Sequence, residues 1–320
     1  MVLGGHYMID VVIPTHIKDT ETLELCIEHV KKNVMNLNKV YIVSKDRLSD
    51  NAEWIPESDF PFSLNDVIDI IGESWRTTWY YQQVLKFYVH EACEDVLDDY
   101  LIVDSDTMLL RPVDFIDEVM NVVYFNYSLS ERCLPYYEHM SKLVPTLGTT
   151  DEKSGVTHSM VFSRDVLNDL KGTVESIHSK SLWEMFLEIT LSPYTTVVGD
   201  QSINGTGRAS EYELYFNYIR RFHPDRVKLR KLNSILAYKG HLFEVDHYHA
   251  SRTNSSPSVE FFKNKVEFKD LEDSFRYVID KSKEEKYDSV TFQKHTRQNF
   301  EHYKSDSLTY LKESVHAKNQ

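Results

Sequence analysis

"YLIVDSDTMLLRP", residues 100–112, carries an aliphatic run straight into two aspartates one residue apart. A short apolar run of this kind reads as a buried strand, and aspartates commonly close strands as turn formers. The other reading is chemical. On an extended chain Asp104 and Asp106 point to the same side. Mg2+ and Mn2+ take hard carboxylate oxygens together with the phosphate oxygens of a substrate. Ser105 then points away, or turns to meet a ribose or a phosphate.

Upstream of this stretch, "MIDVVIP" (8–14) and "KVYIVSKD" (39–46) read as strands, and "DVIDIIGE" (66–73) as a third. Between the first two, Thr20 to Val34 places Leu23, Cys26, Ile27, Val30 and Val34 at helical spacing. "TWYYQQVLKFYVHEA" (78–92) reads as a helix with Tyr81, Val84, Leu85, Tyr88 and Val89 on one side. Strands alternating with helices predict an α/β fold, a mostly parallel central sheet flanked by helices. Such sheets bind ligands beyond the carboxyl ends of their strands. That edge would carry Thr15, His16, Ser44, Asp46, Asp104 and Asp106.

Downstream, "GVTHSMVFSRDVLNDL" (155–170) reads as a strand running into a helix capped near Ser163, and "ASEYELYFNYIRRF" (209–222) as a helix. "HLFEVDHYHA" (241–250) reads as a strand entering a loop. Beyond Asn254 the chain is strongly charged, with a helical pattern in "KDLEDSFRYVIDKSKEE". The expected organisation is a core domain over 1–254 and a helical C-terminal appendage over 255–320, packed on that core.

With 320 residues, 41% hydrophobic and 12% aromatic, the chain can bury a substantial core. Its formal net charge of −14 is the wrong sign for a nucleic-acid partner, and loose adsorption to anionic lipid is disfavoured for the same reason. Cys26, Cys93 and Cys133 are scattered and odd in number, so neither a disulfide framework nor a zinc knuckle is expected. There is no signal-peptide pattern and no run near the ~20 apolar residues of a membrane span. The expectation is a soluble, cytoplasmic protein.

The run "VDSDTMLLRP", preceded by "WYYQQVLKFY", resembles the nucleotide-sugar-dependent glycosyltransferases of the GT-A fold, of the kind found in bacterial polysaccharide gene sets and large DNA viruses. "VVIPTH", "THSMVFSRDVL", "SEYELYFNYI" and "DHYH" fit in order, so the likeness covers roughly residues 8–250. A virus-encoded member would work in the host cytoplasm.

The resemblance implies a UDP- or GDP-linked sugar donor, a glycan acceptor and a Mn2+ or Mg2+ cofactor. It puts Pro14, Thr15 and His16 at the base and ribose, although His16 also suits a strand-terminating turn. Asp46 would accept a hydrogen bond from the nucleoside, or be a solvated turn residue. Gln82 and Lys86, four apart on one helix face, would meet the sugar diphosphate; a partly exposed face with the Lys stem along apolar neighbours is the plainer alternative. His158 and Ser159 would lie under the sugar. Asp104 and Asp106 would hold the cation, completed by a late histidine, His247 rather than His249, with Asp246 a competing oxygen donor.

An inverting transferase needs a carboxylate to accept the proton of the attacking hydroxyl. Asp200, Glu211 and Glu213 compete for that role. Ser210 and Glu213 form the S-x-x-E pattern of a capping box, which gives Glu213 a structural task. Glu211, at the first helical position, is the expected base and Asp200 the second choice; the helix dipole keeps a carboxylate there ionised. A retaining transferase, in which Glu211 is merely structural, stands as the alternative. A nucleotidyltransferase making nucleotide sugars would carry a Gly-rich basic loop after the first strand, which "PTHIKDTETLE" lacks. In a non-catalytic binding module, Asp104 and Asp106 would only form a turn.

Overall fold

A computed structural model describes residues 7–74, 76–117, 122–128, 134–147, 153–193, 208–231, 233–238, 241–244, 271–284 and 286–292. The chain opens with β1 (Ile9–Pro14), buried along its whole length, then α1 (Thr20–Asn33) and β2 (Leu37–Ser44). A short β3 (Glu53–Pro56) follows, then α2 (Leu64–Ile71), α3 (Thr77–Phe87), the single-turn α4 (Val89–Ala92) and β4 (Asp99–Val103). β5 (Thr107–Leu109), β6 (Ile116–Asp117), β7 (Val122–Tyr127) and α5 (Leu134–Leu143) lead to β8 (Ser159–Ser163). After it come α6 (Arg164–His178), α7 (Leu182–Leu191) and α8 (Glu211–Phe222). The later elements are β9 (Val227–Lys231), β10 (Ser234–Tyr238), β11 (His241–Glu244), α9 (Leu271–Glu284) and β12 (Ser289–Phe292).

The central sheet has the order β3-β2-β1-β4-β8, with the first four strands parallel and β8 antiparallel to β4. This is the mostly parallel, helix-flanked α/β fold expected from the alternation of strands and helices. Continuous apolar runs suit strands covered on both faces: Val11, Val12, Ile13, Ile42, Leu101, Ile102 and Val103 are all fully buried. At the amino end Asp10, on β1, ties in β2 and the loop before β4, with Oδ1 accepting from Asn38 Nδ2 and the Lys39 N–H, and Oδ2 from the Leu97 N–H. Among the described residues no helix is long and apolar enough to cross a membrane.

Several elements differ from the sequence reading. Of the residues expected to form a third strand over 66–73, those up to Ile71 belong to a helix instead, α2. Ser63 and Asp66 make a reciprocal capping box at its start, and Gly72 ends it at φ +74°, a conformation that glycine adopts without steric penalty. The third strand of the sheet is β3, where only Ile55 is buried. The helix expected over 78–92 breaks at Tyr88, where the Tyr100 hydroxyl donates to the Lys86 carbonyl at 2.9 Å. A continuing helix would offer that carbonyl to residue 90.

A second sheet, ordered β11-β10-β12-β5, joins the chain's late residues to the stretch after Asp106. β12 lies antiparallel to β5, Thr291 and Thr107 hydroxyls meet at 2.9 Å, and the Phe292 N–H donates to the Asp106 carbonyl at 2.9 Å. The charged C-terminal region thus contributes a strand as well as the expected helix. It frames the aspartate turn directly.

Candidate active site

β4 ends at Val103, and Asp104-Ser105-Asp106 turns the chain into β5, closed by the Thr107 N–H donating to the Asp104 carbonyl at 2.9 Å. The aspartates are therefore turn formers, and their carboxylates also sit where chemistry is expected. In the order 3-2-1-4 the sheet reverses direction of growth between β1 and β4. Ligand crevices of open α/β sheets form at that switch point, outside the carboxyl ends. Asp104 follows β4, and Thr15 follows β1.

Asp104 is the hub. Its Oδ1 accepts from Lys86 Nζ at 2.7 Å and from the Tyr212 hydroxyl at 2.8 Å; its Oδ2 lies 3.1 Å from His158 Nδ1. Burial alone would favour the neutral acid, but the Lys86 ammonium and the hydrogen bond from His158 outweigh it and hold the carboxyl well below the usual range. Lys86, on α3, is itself buried. Burial opposes its charge, yet Asp104 and Glu211 together raise its pKa. Its Nζ reaches Glu211 Oε1 at 2.5 Å and stands 4.2 Å from the centre of the Tyr212 ring, within cation–π range. Behind the turn, Cys26 Sγ approaches the Asp104 carbonyl at 3.7 Å. Burial, then the charges of Asp106 and Asp104, push that thiol's pKa up, which makes it an inert core thiol.

His158 is held twice. Besides its ring contact, its carbonyl accepts the Asp104 N–H at 3.0 Å, and its φ is +59°. A residue with a Cβ is rarely left-handed, and such strain persists where surrounding contacts over-determine it.

Glu211 opens α8. Ser210 accepts the Glu213 N–H at 3.2 Å, so half of the expected capping box forms. The other half does not. The Glu213 carboxylate instead accepts from Ser154 Oγ at 2.6 Å, the Gly155 N–H at 3.2 Å and Asn217 Nδ2 at 2.8 Å. These buried partners outbid a local contact because they satisfy a charge removed from water. The same packing explains Gly155: a Cβ there would lie 2.4 Å from the Phe216 Cβ and 2.9 Å from the Tyr212 carbonyl. Glu211 is 4% exposed, and its Oε1 is turned to the Lys86 ammonium.

The fold thus gathers Lys86, Asp104, His158 and Glu211 from α3, the β4 end, the β8 start and α8. Gln82 works on the frame, with Nε2 donating to the Pro14 carbonyl at 3.1 Å. Thr15 is buried with no hydrogen-bond partner for its hydroxyl. His16 is exposed and accepts the Lys18 N–H on Nδ1, and Asp46 is exposed, its carbonyl accepting from Ser44 Oγ. No hydrogen bond or ion pair among the described residues ties these two to the cluster around Asp104. Ser105 and Ser159 are buried. Asp200, His247 and His249 lie outside the described residues.

Sequence reasoning missed two partners. Tyr212, an aromatic of the helix that Glu211 opens, holds Asp104 through its hydroxyl. Gln83, set beside Gln82, accepts the Glu211 N–H on Oε1 at 3.2 Å.

Among the described residues no group of three His, Cys, Asp or Glu side chains is placed to hold a metal ion. Asp104 and Asp106 nonetheless suit a hard cation. A carboxylate has about four lone-pair sites, and the contacts from Lys86, Tyr212 and His158 leave Asp104 acceptor capacity on Oδ2.

The molecule is a mixed α/β protein with a buried carboxylate–ammonium cluster at the carboxyl edge of its central sheet. It belongs to a family of unknown function, DUF6492, whose model matches residues 6–280. No curated protein matches the sequence. Among solved structures it is similar to mouse xyloside xylosyltransferase 1 (11% identity, TM-score 0.36), over 72% of this chain and 88% of the other. It is also similar to the bifunctional glycosyltransferase WbbM (12%, TM-score 0.37), over 90% of this chain and 46% of that one. A third likeness is to the glycosyltransferase GlyE of Streptococcus pneumoniae TIGR4 (9%, TM-score 0.34), over 98% and 64%. At these scores the likenesses carry no functional weight.

Proposed function

We propose that this protein is a metal-dependent glycosyltransferase that moves a sugar from a nucleoside-diphosphate sugar to a saccharide hydroxyl. One observation carries the reading: a paired-aspartate turn at the switch point of a parallel sheet, with its first carboxylate kept ionised by a buried lysine. Asp104 and Asp106 would hold Mn2+ or Mg2+, with His247 the candidate third ligand. When bound, the cation supplies charge compensation to the leaving diphosphate.

The protein's own groups do the rest. Thr15, with its unpartnered hydroxyl, Pro14, His16 and Asp46 line the strand ends where the nucleoside would lie, and Ser105 and Ser159 flank the turn. Gln82 fixes the end of β1. His158 holds Asp104 in register for the sugar. Glu211 accepts the proton of the acceptor hydroxyl while its oxygen bonds to the anomeric carbon; the bond from that carbon to the diphosphate breaks, and the electron pair leaves with the nucleotide. Asp200 is the alternative base. Such a step inverts the anomeric configuration. The tight Lys86–Glu211 pair favours a second reading, in which Glu211 serves to hold Lys86 and the reaction retains configuration.

Incubation with UDP- and GDP-sugars in Mn2+, followed by proton NMR of the product anomer, tests both. Inversion that disappears in Glu211→Gln supports the first reading. Retention with activity left in Glu211→Gln supports the second, and no released nucleoside diphosphate from any donor contradicts the proposal.

A further inference from the structure

Gln83 carries a group that the ion-pair network leaves unused. Its side chain is 2% exposed, and Oε1 accepts the Glu211 N–H at 3.2 Å. That bond sets the amide's orientation, since a flipped amide would oppose donor to donor. Nε2 is therefore buried with no hydrogen-bond acceptor. A buried donor left unpaired is unfavourable, and a site that recognises substrate hydroxyls carries polar groups that only the substrate satisfies. On the neighbouring residue, Glu211 Oε1 is taken by Lys86 Nζ at 2.5 Å, and no donor among the described residues is hydrogen-bonded to Oε2.

We propose that Gln83 Nε2 and Glu211 Oε2 together seat the acceptor hydroxyl, a deepening that rests on the inverting glycosyl-transfer reading. A donor beside an acceptor is the complement of a hydroxyl, which gives one hydrogen bond and receives others. An anion would be repelled by Glu211, and a cation would meet the N–H groups of Gln83. The hydroxyl proton points at Glu211, and one oxygen lone pair takes Nε2–H. The other lone pair forms the bond to the anomeric carbon as the proton passes to Glu211 and the diphosphate leaves with its electrons. Gln83 is then a substrate-binding residue that aims the attacking oxygen.

The test uses the full chain and two variants. Gln83→Glu keeps an acceptor for the Glu211 N–H and, when ionised, has no donor; Gln83→Met has neither. In 15N-glutamine-labelled protein the Gln83 amide signal, assigned by its absence from Gln83→Met, should move saturably on titration with glycerol. An unmoved signal overturns the proposal, whatever the nucleotide chemistry proves to be. With a nucleotide sugar that the wild type turns over, both variants should lose about 10–100-fold in kcat while UDP or GDP affinity stays unchanged. Turnover by Gln83→Met within about twofold of wild type, a difference worth little in barrier height, also overturns it. Failure of the wild type to bind nucleotide with metal would instead remove the Asp104–Asp106 reading, and the glycerol titration would still decide whether the pair takes a hydroxyl.

Discussion

Lys86 is where the site's electrostatics concentrate. Its side chain is 3% exposed and pairs with Asp104 and Glu211. Removing one partner of a buried pair strands the others, at about 3–5 kcal/mol. Lys86→Met is expected to lower stability by about that much in urea unfolding at neutral pH. Arg need not rescue it, because a planar fork is a different shape from a compact ammonium. Tyr212→Phe removes a hydroxyl from an ionised acceptor and should cost about 1.5–3 kcal/mol. The pH dependence follows from Asp104. Its folded pKa lies below the unfolded value, so its stabilisation is complete above about pH 4 and is lost as pH falls through the folded value. Wild type should therefore lose stability more steeply below pH 4 than Asp104→Asn. Parallel acid limbs in the two proteins would remove Asp104 from the account.

At the scale of elements, much was legible and the failures have physical causes. β1, β2 and β4 are apolar runs of strand length, and α1 and α8 keep helical spacing, so local pattern and tertiary burial agree. Residues 66–73 misled because Val67, Ile68, Ile70 and Ile71 are β-branched, while the Ser63–Asp66 box and Gly72 held the truer signal. β3 was invisible because its burial comes from its neighbour β2 and not from its own composition. Lys86 could be suspected from its helix, but its pairing with Glu211, 125 residues away, is set by packing alone. Gly155→Ala forces α8 outward against Phe216 and Tyr212. It should cost about 1–3 kcal/mol and weaken nucleotide binding together with stability, as thermal unfolding and titration would show. Ser63→Ala removes only a cap, at about 1 kcal/mol, and should leave any binding untouched.

Over the whole molecule, two sheets meet at the aspartate turn. The central sheet delivers Asp104, and the second sheet grips Asp106 through the Phe292 N–H. Arg111 and Asp288 add an ion pair between the chain after β5 and the start of β12, and Asp288 Oδ2 accepts the Asn233 N–H at 2.7 Å. The site therefore depends on residues near the far end of the described chain. That dependence was not readable from a charged C-terminal region with a helical pattern. Calorimetric titration of UDP and GDP, with Mn2+ and then with EDTA, on wild type and Asp106→Ala, tests the central claim most directly. The account predicts nucleotide binding that needs the metal and is lost in the variant. Equal binding in all conditions, or none in any, would leave Asp104 and Asp106 as a turn and nothing more.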